Sequence, residues 1–124
     1  MGIRKMKILL VDDDVIFHEM AIAILSDKYT VEVAKSGKDA LILLLKNKPD
    51  LILLDVVMPE MDGWETFHRI RGISLLQEVP IAFLTSLSKA DGLEHAQLLG
   101  ASEYFTKPID ADDFINRIEK LLFK

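Results

Sequence analysis

The chain has 124 residues, 50% of them hydrophobic and 28% charged, with no cysteine and a formal net charge of −5. That length suits a single domain with its own core. The composition excludes a disordered chain, a disulfide scaffold, a thiolate metal site and a thiol nucleophile, and the acidic balance argues against a surface built for nucleic acid or anionic lipid.

The first residues, Met1-Gly2-Ile3-Arg4-Lys5-Met6, put basic side chains before an apolar run, as a signal peptide would, but Asp12, Asp13 and Asp14 end that run too soon. Position 6 is Met, which departs from the myristoylation pattern. No run approaches the ~20 apolar residues of a membrane span. A cytoplasmic protein is expected.

Short apolar runs alternate with longer stretches of helical period. The runs are Ile8–Val11, Val31–Ala34, Leu51–Leu54, Ile81–Leu84 and Glu103–Phe105. Continuous apolar runs suit strands covered on both faces, as in a parallel sheet. The second run alternates, Val-Glu-Val-Ala, and belongs nearer an edge. After the first run, Asp13 or Asp14 can cap a helix with Phe17, Met20, Ala21, Ile24 and Leu25 on one stripe. Ser36 with Asp39 is a capping-box variant before Ala40, Leu41 and Leu44, and Pro49 closes that helix. Trp64, Phe67 and Ile70 mark a third helix weakened at its end by Gly72. Ser88 with Asp91 precedes Leu93, Ala96 and Leu99, with Gly100 as a C-terminal cap, and Asp110 with Asp113 precedes Phe114, Ile118, Leu121 and Leu122. Five β-α units result, with crossover helices on both faces of a parallel sheet.

Ligands in open α/β sheets sit beyond the carboxyl ends of the strands. The first strand delivers Asp12, Asp13 and Asp14 there, the third Asp55, the fourth Thr85 and Ser86, and the fifth Lys107-Pro108. The second delivers Lys35 and Ser36, read as no more than a helix start. Clustered carboxylates need a counter-charge. Lys107 supplies one positive charge; a divalent cation would supply two, all-oxygen ligands favour Mg²⁺, Mn²⁺ or Ca²⁺, and so few protein oxygens fit Mg²⁺ keeping several waters and meeting a substrate phosphate. Asp14 is read as a helix cap. Asp55 is different, because an acidic residue ending a buried strand is costly unless something uses it.

The set Val11-Asp12-Asp13-Asp14, Asp55-Val56-Val57-Met58-Pro59-Glu60-Met61-Asp62-Gly63, Leu84-Thr85-Ser86 and Tyr104-Phe105-Thr106-Lys107-Pro108 closely resembles the receiver domain of two-component response regulators, particularly single-domain regulators of chemotaxis or sporulation type. The likeness runs from about Lys7 to Leu122. It implies a doubly wound, flavodoxin-like (βα)5 fold with five parallel strands in order 2-1-3-4-5, and one receiver domain over residues 1–124. It implies that Asp55 is the phosphoacceptor, taking a phosphoryl group from a phosphohistidine of a sensor kinase or phosphotransfer protein. Asp12 and Asp13 match the acidic pair that holds Mg²⁺ together with Asp55, and Val57 the residue offering a backbone carbonyl to the metal. Thr85 matches the hydroxyl that meets the phosphoryl group, Lys107 the ammonium that pairs with it before a cis proline, and Tyr104 the aromatic switch. The protein would be a self-modifying switch rather than an enzyme with a separate substrate.

Val57 and Leu87 fall where the resemblance places the flanks of the hydrolytic water's route, and both are apolar, so a long-lived phosphoryl group is expected. A phosphatase of haloacid dehalogenase type would need a second aspartate at position 57. A receiver-fold binding module independent of phosphorylation would have lost some of Asp12, Asp13, Asp55, Thr85 or Lys107, and none is lost. A receiver cut from a longer regulator or hybrid kinase fits the same residues; the Met1 start and a last helix running to the terminus lean toward a free-standing protein. His18, His68 and His95 are read as packing or solvated side chains, and Trp64 as packing near the acidic site. The downstream target, expected to be a protein, has no signature here.

Overall fold

In the computed structural model, residues 4–86 and 89–123 are described, the side chains of the second stretch from residue 92. The strands are β1 (Met6–Val11), β2 (Tyr29–Ala34), β3 (Leu51–Leu54), β4 (Ile81–Thr85) and β5 (Glu103–Thr106); the helices are α1 (Val15–Leu25), α2 (Gly37–Leu44), α3 (Gly63–Arg71), α4 (Lys89–Leu99) and α5 (Ala111–Leu122). All strand pairs are parallel, in the order β2-β1-β3-β4-β5, as expected. The alternating run is indeed the edge strand β2.

The three inner strands are buried almost throughout because both sheet faces are covered. Leu10, Leu53 and Leu84 pack with Phe17, Ala21 and Leu25 of α1 and Phe114 and Ile118 of α5. On the opposite face Leu9, Ile52, Leu54 and Phe83 meet Ala40 and Leu44 of α2, Phe67 and Ile70 of α3, and Ala96 of α4. The two faces follow from the alternation of side chains along each strand.

Local chemistry sets the helix starts. Asp14 rather than Asp13 caps α1, accepting from the Ile16 and Phe17 N–H groups. Ser36 accepts from Asp39 N–H, as its spacing predicts, and Asp62 caps α3 through Glu65 N–H. The α5 cap differs by one residue: Asp110 accepts from the Asp112 N–H at 3.0 Å, not from Asp113, whose carboxylate pairs with Arg117. Gly100 ends α4 at φ +81°, a conformation a Cβ would strain. Gly72 ends α3 with right-handed geometry, and a short 3-10 helix, Ser74–Leu76, which no sequence signal announces, follows it. The proposed Ser88 cap, and Leu87, lie outside the described residues.

One element corrects the helical reading. Periodicity places Met20 on the inward stripe of α1, but it is exposed, together with Ile16 and Ile22. α1 is apolar nearly all round, so its periodicity alone does not say which face goes inward. Among the described residues no helix is long and apolar enough to cross a membrane.

Candidate functional site

Three of the candidate residues are fixed by a backbone hydrogen bond just beyond their strands. Asp12 N–H donates to the Ala34 carbonyl, Asp55 N–H to that of Val11, and Lys107 N–H to that of Thr85, at 2.9–3.0 Å. The sheet register therefore sets the spacing of these residues before any side chain is considered. α3 lies close against β3: Gly63 N–H donates to the Val56 carbonyl at 2.8 Å, and a Cβ at position 63 would overlap the Asp55 carbonyl oxygen. Only glycine fits that approach. Glu60, in the connecting loop, is held at φ 67°, a conformation uncommon for a residue with a Cβ.

The sheet brings together Asp12, Asp13, Asp55, Thr85 and Lys107. Asp12, Asp55 and Thr85 are buried; Asp13 is exposed. Carboxylate oxygens of Asp12, Asp13 and Asp55 lie within 4.8 Å of one another. The Lys107 ammonium sits 2.6 Å from Asp12 Oδ2 and 3.7 Å from Asp55 Oδ2, so its hydrogen bond goes to Asp12. The Thr85 hydroxyl hydrogen-bonds the Asp55 carboxylate, and Val57 N–H donates to Asp55 Oδ1 at 3.3 Å. Lys107 precedes a cis peptide bond to Pro108, as the resemblance implies.

Electrostatics follow from this crowding. Burial, and next the charge of Asp12, push the Asp55 carboxyl up from 3.8 to about 6; Lys107, Thr85 and Val57 pull it partly back. A carboxylate so disfavoured is ready to accept neutralising charge. Three carboxylates around one point form a hard oxygen donor set that could hold a hard cation of the Mg²⁺ or Ca²⁺ kind. The surplus of negative charge at the strand edge, which one ammonium does not cancel, fits such an ion.

Two further neighbours carry no sign in the sequence of their place in the site. The Lys107 ammonium lies 4.4 Å from the centre of the Phe17 ring, a cation–π contact that backs it toward the carboxylates. His18, one of the three histidines expected to be solvated or packing, is buried, with Nε2 against the Asp12 carbonyl oxygen. The apolar stripe of α1 includes Phe17, but no local pattern marks either residue as part of the site, because only the fold brings α1 under the strand edge.

Tyr104 sits apart from the carboxylates, paired in register with Phe83. Its ring is buried, and its hydroxyl lies over Gly92 of α4, where a Cβ would collide with it. The signal for Gly92 is visible in sequence as a glycine inside a helical pattern, which usually has a packing reason. Arg117 of α5 braces the same strand, bonding Glu103 at 2.5 Å and the Tyr104 carbonyl at 3.0 Å. That contact holds the Glu103 carboxyl below its usual range. Trp64 is half-buried, edge-on to Phe83 and to His95 of α4.

A family model, the response regulator receiver domain, matches residues 8–119. The transcriptional regulatory protein DltR of Streptococcus agalactiae is 40% identical over 118 residues, covering 91% of this chain and 50% of its own length. The chain thus spans about half of that relative. Among solved structures, the chemotaxis protein CheY4 of Vibrio cholerae superposes with a TM-score of 0.89 at 30% identity, over 96% of this chain and all of that one. The receiver domain of HemR from Leptospira biflexa does so at 0.86 and 33%, over 97% and 96%.

Proposed function

The chain belongs to the response regulator receiver family, and from that premise we propose that it is a phosphoacceptor switch in which Asp55 takes a phosphoryl group from a phosphohistidine on a kinase or phosphotransfer protein. The observation that carries this reading is the setting of Asp55. It ends a central strand, buried between an ammonium and a hydroxyl, with two more carboxylates within 4.8 Å.

Phosphoryl transfer is mostly positioning and charge neutralisation. An Asp55 oxygen forms the new bond to phosphorus as the phosphorus–nitrogen bond of the phosphohistidine breaks, and the imidazole leaves with that electron pair. Asp12, Asp13 and Asp55, with the Val57 carbonyl, would hold Mg²⁺, which when bound supplies positive charge to offset repulsion between phosphate and carboxylate. Lys107 stands close enough to shift its contact from Asp12 to the phosphoryl oxygens. Thr85 exchanges a bond to the carboxylate for one to the phosphoryl group, and Tyr104, on the strand paired with that of Thr85, passes the change to α4, β5 and α5. Turning such a switch from 1:99 to 99:1 requires about 5.5 kcal/mol of preference for the active form. The protein thus catalyses only its own modification.

Incubation with acetyl phosphate and Mg²⁺, followed by intact mass, tests the reading. One added phosphoryl group is expected, and none when the metal is chelated; no addition from any small donor would sink it.

The outward stripe of α1, with Ile16 78% exposed and Met20 beside it, begins one turn from Asp12 and Asp13 and suits the docking of a phosphodonor protein. Ile16→Glu is expected to slow transfer from a phosphohistidine protein about tenfold, the cost of a lost apolar anchor, and to leave acetyl phosphate labelling unchanged. Equal slowing with both donors would place Ile16 in the chemistry instead.

Val57 is 53% exposed and apolar, so it offers no side-chain hydrogen bond to an attacking water. The acyl phosphate is expected to persist for minutes or longer, and Val57→Asn to shorten that lifetime, read as loss of radiolabel after desalting. A lifetime of seconds in the unaltered protein would contradict the first expectation.

A further inference from the structure

Between α2 and α3 lies a groove of about 600 Å³, walled by Leu41, Ile42 and Leu45 on one side and Met61 and Ile73 on the other. It continues past Leu45 and Ile73 to Leu75. Ile42, Leu45 and Leu75 are all exposed, Leu45 at 79%. None of these residues belongs to the acidic site.

The rim is cationic in a chain that is acidic overall. Lys38 and Arg69 flank the groove, and Lys46 and Lys48 flank its continuation. Arg69 pairs with Glu65 within α3; among the described residues the three lysines pair with no carboxylate. Asp39 is adjacent in sequence to Lys38 but about 100° round α2, away from the groove.

We propose that this groove docks an amphipathic helix of a partner protein, with an apolar stripe set between α2 and α3 and acidic residues along its edges. A shallow apolar groove between two helices takes a helix face as ridges take a groove. An anionic lipid surface fits less well, since the protein as a whole carries net negative charge.

The test is titration of ¹⁵N-labelled protein with a synthetic peptide of about 15 residues, leucines on one face and glutamates on the other, read by two-dimensional amide spectra. Saturable shifts are expected at residues 38–48 and 61–76. Leu45→Asp should weaken binding about tenfold, and Lys38→Glu with Lys46→Glu about fivefold. All three positions are exposed, so the fold should persist, which circular dichroism checks; Leu45→Ser gives a second apolar deletion. Equal binding of a peptide with lysines in place of glutamates would overturn the proposal. So would shifts confined to other surfaces, no shifts at all, or binding only to phosphatidylglycerol vesicles.

Discussion

Replacing Asp55 by asparagine is expected to abolish phosphoryl uptake and, in metal-free buffer at pH 7, to make the protein more stable. The two effects share one cause. Burial and the neighbouring Asp12 raise the Asp55 carboxyl to about 6, against an ordinary 3.8, so its charged form is a liability in the folded state. For a carboxyl shifted upward, the cost is fully present above about pH 6. It shrinks as pH falls, because the folded state takes up the proton first, and it is gone near pH 4. Two pKa steps correspond to nearly 3 kcal/mol; the amide gives up part of this because it accepts fewer of the hydrogen bonds that Thr85 and Val57 give the carboxylate, leaving about 1–2 kcal/mol. The asparagine amide keeps the shape of the side chain and removes its charge. A rise in melting temperature of about 5 °C is expected at pH 7, falling to nothing at pH 4. Intact mass should show no phosphoryl addition at any pH. Equal melting temperatures of the two proteins at pH 7 in chelator would mean that Asp55 carries no such strain.

Lys107→Ala should act in the opposite direction and more strongly. Among the described residues Lys107 is the one ammonium that meets both Asp12 and Asp55, and Asp12 is wholly buried. Removing it leaves two carboxylates facing each other without a counter-charge and empties the contact over Phe17. Breaking a buried pair costs roughly 3–5 kcal/mol; because the ammonium retains some exposure, about 3 kcal/mol is expected here. In urea with chelator the unfolding midpoint should fall by about 2 M. Mg²⁺ should restore a large part of the loss in the variant, and more than it adds to the parent protein, since a divalent cation at the three carboxylates supplies the missing charge. An unchanged midpoint in chelator, or no differential response to Mg²⁺, would show that Lys107 does not offset these carboxylates.

Much of this is legible in the chain. β3 has the limits its apolar run suggests, because a strand buried on both faces leaves an unbroken signal. β1 and β2 each begin two residues earlier than their apolar runs. There Met6 pairs with Tyr29 and Lys7 with Thr30 through backbone, and Lys7 N–H is held by Asp50 at 2.7 Å; the polar Lys7 and Thr30 separate the apolar Met6 and Tyr29 from the runs that follow. Periodicity misplaces Met20 because α1 is apolar on both sides, one packed on the sheet and one left open. In the site, Asp12, Asp13, Asp55 and Lys107 stand out because charges at the ends of buried strands require an explanation. The preference of Lys107 for Asp12 over Asp55 does not show in sequence, being set by strand register. Phe17 beneath Lys107 and His18 against the Asp12 backbone depend on how α1 crosses the sheet.

Gly92 leaves bare backbone in the first turn of α4, and the Tyr104 ring covers it. Glycine there weakens the helix relative to alanine, and the ring keeps water from that turn. Ring position and helix stability therefore share one free energy. Whatever draws the ring outward frays α4, and whatever firms α4 holds the ring in place. Amide hydrogen exchange along α4 then reports on a side chain that belongs to another element, with protection falling as the ring departs.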